Sequence, residues 1–131
     1  MEKTVKIDGK EVKLKTSGAL PRIYRRLLRR EIFEDVAKMS MTSIELADPD
    51  RPDPSKEDQL DANEIIENLT FIMAKHADPS LPETVEEWLA GFEDEAALND
   101  PEVTGAVIAL WLHETETTSA ERKKKEGSTG K

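Results

Sequence analysis

The chain has 131 residues, no cysteine and a formal net charge of −9, which bounds it to one domain, or one domain with a tail. The missing cysteines exclude disulfides, thiolate metal sites and cysteine nucleophiles together. No stretch approaches the roughly eighteen apolar residues of a membrane span, and the amino terminus lacks a signal-peptide core, so a soluble, intracellular protein is expected. Charge is unevenly spread: residues 1–44 carry eleven Lys/Arg against six Asp/Glu, residues 45–102 three against eighteen, and residues 103–131 five against four. The acidic middle repels a phosphate backbone, which argues against nucleic acid as a partner.

Val5 and Ile7, then Val12 and Leu14, alternate with charged residues on either side of Asp8-Gly9. Asp-Gly between alternating runs predicts a β-hairpin over residues 1–16 with a type I′ turn, because both central residues need positive φ. Two strands alone are marginal, so the hairpin must lie on a helix or pair with another chain. Leu20-Pro21 then opens a helix, proline fitting the first turn. Ile23, Leu27 and Leu28, then Ile32, Phe33, Val36 and Met39, continue an apolar stripe to about Ile44. One helix over 21–44, or two meeting near Arg29-Arg30, both fit that pattern. Five arginines fall within this basic stretch: Arg22, Arg25, Arg26, Arg29 and Arg30. They are expected to pair with the chain's own acidic body, the alternative being an acidic partner segment.

Residues 47–58, ADPDRPDPSKED, hold three prolines and read as a solvent loop. Asp48, Asp50 and Asp53 lack the glycine and closing glutamate of a calcium loop. A second long helix is expected over 60–77, with Ile65, Leu69, Ile72 and His76 at helical spacing. Thr84-x-x-Glu87 is a capping box for a short helix carrying Trp88, Leu89 and Phe92. Pro101 starts a last helix whose run 103–112 is apolar nearly all round, so it is expected to be the most buried or to lie against a partner. Residues 119–131, SAERKKKEGSTGK, have one apolar residue and read as a flexible, lysine-rich tail. The expected fold is mainly α: an N-terminal β-hairpin, a small bundle of about four to five helices over residues 1–118, and a disordered C-terminal tail.

Catalytic chemistry is thinly represented. His76 and His113 each stand alone at the end of an apolar run and read as interface or capping residues. No zinc spacing, nucleophile elbow or phosphate loop occurs, and adjacent acids such as Glu86-Glu87 read as a solvated face. No enzyme activity, cofactor or metal is expected. Trp111 reads as core, whereas Trp88 and Phe92, between acidic segments, read either as core or as interface anchors.

Four ordered markers carry a family resemblance. They are the strand pair around Asp8-Gly9; Thr16-Ser17-Gly18 leading into Pro21-Arg22-x-Tyr24-Arg25; Ile32-Phe33-Glu34-Asp35; and Ile65-x-x-x-Leu69-x-x-x-Met73-Ala74-Lys75 followed by Glu87-Trp88-Leu89. Together, over most of residues 3–112, they resemble the tail assembly chaperones of long-tailed bacteriophages and prophages. The resemblance implies a morphogenesis factor of the host cytoplasm, absent from the mature virion, that binds the helical tape measure protein and keeps it soluble while tube subunits polymerise. It also implies contact with the tail tube protein through a frameshift-extended form; Lys123-Lys124-Lys125 and Gly130-Lys131 are compatible with slippery codons, a solubilising tail being the plain alternative. Self-association is a further partnership to be considered. In that family a glycine often sits near the position of Arg29 and breaks the helix. Its absence favours a continuous or gently bent helix here. Residues proposed to contact the partner are Arg22, Tyr24, Arg25, Arg29, Phe33, Trp88, Phe92 and Trp111. Rival readings are a phage structural protein such as a head–tail connector component, and a small acidic protein-binding regulator or protein mimic of nucleic acid.

Overall fold

Strands β1 (Glu2–Ile7) and β2 (Lys10–Lys15) pair antiparallel through a two-residue turn. Asp8 and Gly9 have φ of 54° and 77°, the mirror-image turn that matches strand twist and that a side chain other than Asn, Asp or Gly rarely tolerates. Reciprocal backbone bonds between Met1 and Thr16 extend the ladder by one pair. Register places Lys3, Val5 and Ile7 on one face with Lys10, Val12 and Leu14. That face seats Ile7 and Leu14, both fully buried, on the long helix described below. The hairpin therefore finds its partner within the chain. A computed structural model of the protein describes residues 1–113; the expected tail over 119–131 and both candidate frameshift positions lie outside the described residues.

Five helices follow. The first two, α1 (Leu20–Leu28) and α2 (Ile32–Ala47), replace the continuous helix expected from the absent glycine. Arg29 itself takes the left-handed conformation, φ 58° and ψ 35°, at a cost of roughly 1–2 kcal/mol for a residue with a Cβ. The apolar stripe of α1 continues nearly in phase into α2, which is why periodicity did not reveal the joint. What requires it is polar. The Tyr24 hydroxyl donates to Asp35 Oδ2 at 2.6 Å. Eleven residues of straight helix would separate these positions by about 16 Å along the axis, beyond the reach of both side chains. Arg30 closes the elbow with two bonds to the same carboxylate, 2.7 and 2.8 Å.

Helix α3 (Lys56–Ala77) begins a turn earlier than the sequence suggested, because Ser55 caps it, accepting from the Asp58 amide at 3.1 Å. The preceding loop is correspondingly shorter, and its Pro54 is buried. Strand β2, α1, α2, the short helix α4 (Val85–Leu89) and a 3-10 turn at Ala97–Asn99 all pack on α3. Its residues 65–66 and 69–75 are buried on every side. Such enclosure makes α3, and not the last helix, the centre of the core. Lys75 shares this burial, which is tolerable because its ammonium donates to Pro79 O (2.9 Å) and Leu81 O (2.6 Å) and pairs with Glu83 at 3.1 Å. All three donors are thereby satisfied.

Thr84 caps α4 as expected, accepting from the Glu87 amide at 3.2 Å. The last helix, α5, occupies residues 101–113 of the described chain. Asp100 begins it by accepting from the Glu102 amide at 2.9 Å. Val103, Ala106, Val107, Leu110 and Trp111 are buried, but Ile108 is exposed. Its apolar character is thus not matched by enclosure. Among the described residues, no helix is long and apolar enough to cross a membrane.

Candidate partner-binding surface

The candidate contact residues separate into three groups. Tyr24 is fully buried, Trp88 and Trp111 nearly so, and Phe92 packs against the core. Trp88 lies between Phe71 (5.7 Å between ring centroids) and Phe92 (5.2 Å, edge to face), an arrangement that favours opposite ends of the ring quadrupoles. Lys10 covers Phe92, its ammonium 5.6 Å from the ring centroid, and donates to Gly91 O at 2.8 Å. Tyr24 and Trp88 thus lie in the core. Their hydroxyl and ring face inward to the elbow and to Phe71.

The arginines form the second group. Arg25 pairs with Glu31 and Arg30 with Asp35, both partners lying in the same basic stretch. The expected neutralisation by the acidic middle of the chain is not what forms. Arg22, Arg26 and Arg29 are exposed, and no ion pair to them occurs among the described residues. Asp35 is the electrostatic hinge of the group. Burial disfavours its charge, but the bonds from Arg30 and Tyr24 outweigh that and hold its pKa below the usual carboxylate value. Tyr24 is shifted the opposite way, upward, by burial and by the adjacent Asp35 carboxylate. A tyrosine held neutral beside an ionised aspartate acts as a structural donor, not as an acid.

Phe33 belongs to the third group, and here the structure exposes what the sequence did not single out. Phe33 is exposed on the outer side of α2, its ring 5.5 Å from that of Trp111 on α5. Ala37, Met41 and Ile44 follow it at helical spacing, and Met41 and Ile44 remain 51% and 52% exposed. On the opposite side of α2 from this stripe lies a groove of about 310 Å³. Met39 and Leu46 of α2 form one wall, Thr104 and Ile108 of α5 the other, and Ala62 and Ile66 of α3 the floor. A helix needs such a trough with apolar shoulders to dock its own apolar face. The signal existed in sequence: α2 carries apolar residues on more than one side, more than a single packed face requires.

His76 sits at the opposite end of α3, its Nε2 2.8 Å from Ser17 Oγ. Burial, with Lys15 and the amino terminus nearby, lowers its pKa. The hydrogen bond between the ring and the serine hydroxyl ties α3 to the segment entering α1. Among the described residues, no group of three or more His, Cys, Asp or Glu is placed to hold a metal ion. No family model, curated protein or solved structure matches this chain.

Proposed function

We propose that the protein is a phage tail assembly chaperone that binds the helical tape measure protein and keeps it soluble while tail tube subunits assemble. The family reading rests on the four ordered sequence markers. The observation that carries the binding reading is the open apolar stripe of α2, where Phe33, Met41 and Ile44 stand in water. A patch of this kind, left open by a chain otherwise rich in charge, is characteristic of a protein-contact surface. The elbow at Arg29 adds support, because it falls where the resembled family often carries a helix-breaking glycine. Copies binding along a long helical client with weak individual contacts gain avidity by repetition and remain displaceable by tube subunits.

The test is co-expression with a tape measure protein, sought as a very long helical reading frame near this gene. The native chain is expected to move that client into the soluble fraction and to co-purify with it. Phe33→Asp combined with Ile44→Asp is expected to abolish both, with unchanged helical circular dichroism of the chaperone. A client left insoluble by the native chain would overturn the function. A client still solubilised by the double variant would overturn the surface. Presence of the chain in purified virions, read by mass spectrometry, would favour a structural component instead.

A further inference from the structure

A second groove, of about 480 Å³, opens on the other side of the helical layer between α1, α3 and α4. Its apolar part is Leu27 and Leu28 of α1 with Leu89 of α4; Glu64, Glu67 and Glu86 stand around it. Glu83 also lines it but is taken by Lys75, and Arg30, the one cation on its wall, is taken by Asp35. No ion pair reaches Glu64, Glu67 or Glu86 among the described residues. Burial and the neighbouring Glu64 raise the Glu67 pKa, the mark of a carboxylate lacking a counter-charge. The groove thus asks for an occupant that is cationic at its tips and apolar along its stems, as extended lysine and arginine side chains are.

We propose that the chain's own segment Arg122-Lys123-Lys124-Lys125 docks in this groove, its alkyl stems on the leucines and its charged ends on the three glutamates. It is the chain's single run of four basic residues. Reach is sufficient. Arg122 follows His113 by nine positions, a stretch that extends to about 30 Å. Trp111, two residues before His113, already lies against Phe33, whose helix starts two residues after Arg30 at the groove's edge. A linker this short keeps the segment at an effective concentration of order millimolar, so weak exposed ion pairs suffice. The inference stands independently of the chaperone reading.

The absence of cysteine permits a single engineered label on the full-length chain. A nitroxide on Ser128→Cys, read by NMR, is expected to more than halve the amide intensities of Leu27, Leu28, Glu64, Glu67 and Leu89 at low salt. Intensity should return at about 1 M salt, where the screening length is about 3 Å, and equally when Glu64→Gln, Glu67→Gln and Glu86→Gln are combined. Replacing residues 122–125 by glutamine, which leaves the folded helices untouched, should also restore it. Uniform broadening, broadening at another surface, or persistence in either variant would overturn the proposal. So would broadening seen only when labelled chains are mixed with separate isotope-enriched ones, which would assign the groove to the tail of a second copy.

Discussion

Helix α2 and the second half of α3 are both rich in large apolar residues, yet they meet opposite fates. From Leu69 to Lys75, α3 is enclosed by the hairpin, α1, α2 and α4, so every side of this stretch is core. In α2 the inner side buries Ile32 and Met39, while Phe33, Met41, Ile44 and Leu46 stay exposed. Apolarity alone does not assign a side chain to the interior; the number of neighbouring elements does. What remains uncovered on α2 is the surface that the proposed function assigns to a partner.

Substitutions can break this contrast. Phe71→Ala, in the enclosed half of α3 and against Trp88, should cost about 3–5 kcal/mol, measured by denaturant unfolding. Asp35→Asn removes the charge that holds the elbow and joins α1 to α2. It should cost about 2 kcal/mol near neutrality, within the range for bonds to charged groups. The sign with pH follows from the depressed Asp35 pKa. Its stabilisation is present above the usual carboxylate value and is lost as pH falls through the folded value. The gap between native and variant stability should therefore close below about pH 4. Arg29→Gly should stabilise by about 0.5–1 kcal/mol, the relief of a left-handed side chain less the backbone freedom glycine restores to the unfolded chain. A loss there would mean that the elbow needs the arginine side chain itself. Ile44→Ser, on the open side of α2, should change stability by no more than about 0.5 kcal/mol. If it destabilised as Phe71→Ala does, the apolar face would belong to the core and not to a partner.

Much of the architecture was legible in the sequence because its signals are local. Asp8-Gly9 specifies the turn, Thr84 the cap of α4, and the spacing of Ile65, Leu69 and Ile72 the buried helix. The elbow was not legible. Arginine is a good helix former, the apolar stripe runs nearly in phase through Arg29, and the deciding bond joins Tyr24 to Asp35 across a break that no local pattern records. The start of α3 was misread for the opposite reason: three prolines drew attention from Ser55, whose capping oxygen restores the helix a turn early. The contact surface was half legible. Phe33 was found by its place in a motif, whereas Met41, Ile44 and the groove required knowing that α5 and α3, remote in sequence, flank α2.

The hairpin's tip is held from far along the chain: Lys10 bonds Gly91, and Asp8 Oδ2 accepts from the Glu93 amide at 2.8 Å, 81 and 85 residues away. During synthesis the two strands leave the ribosome that many residues before the loop that fastens them. At about 5–20 residues per second the interval is roughly 4–16 s. Throughout it the hairpin lacks its clasp, and until α3 has been made it lacks its seat as well, so its open edges invite pairing with other nascent strands. Lys3, Lys6 and Lys13 on such short strands are then a safeguard for the newborn chain, at work before the rest of the fold exists.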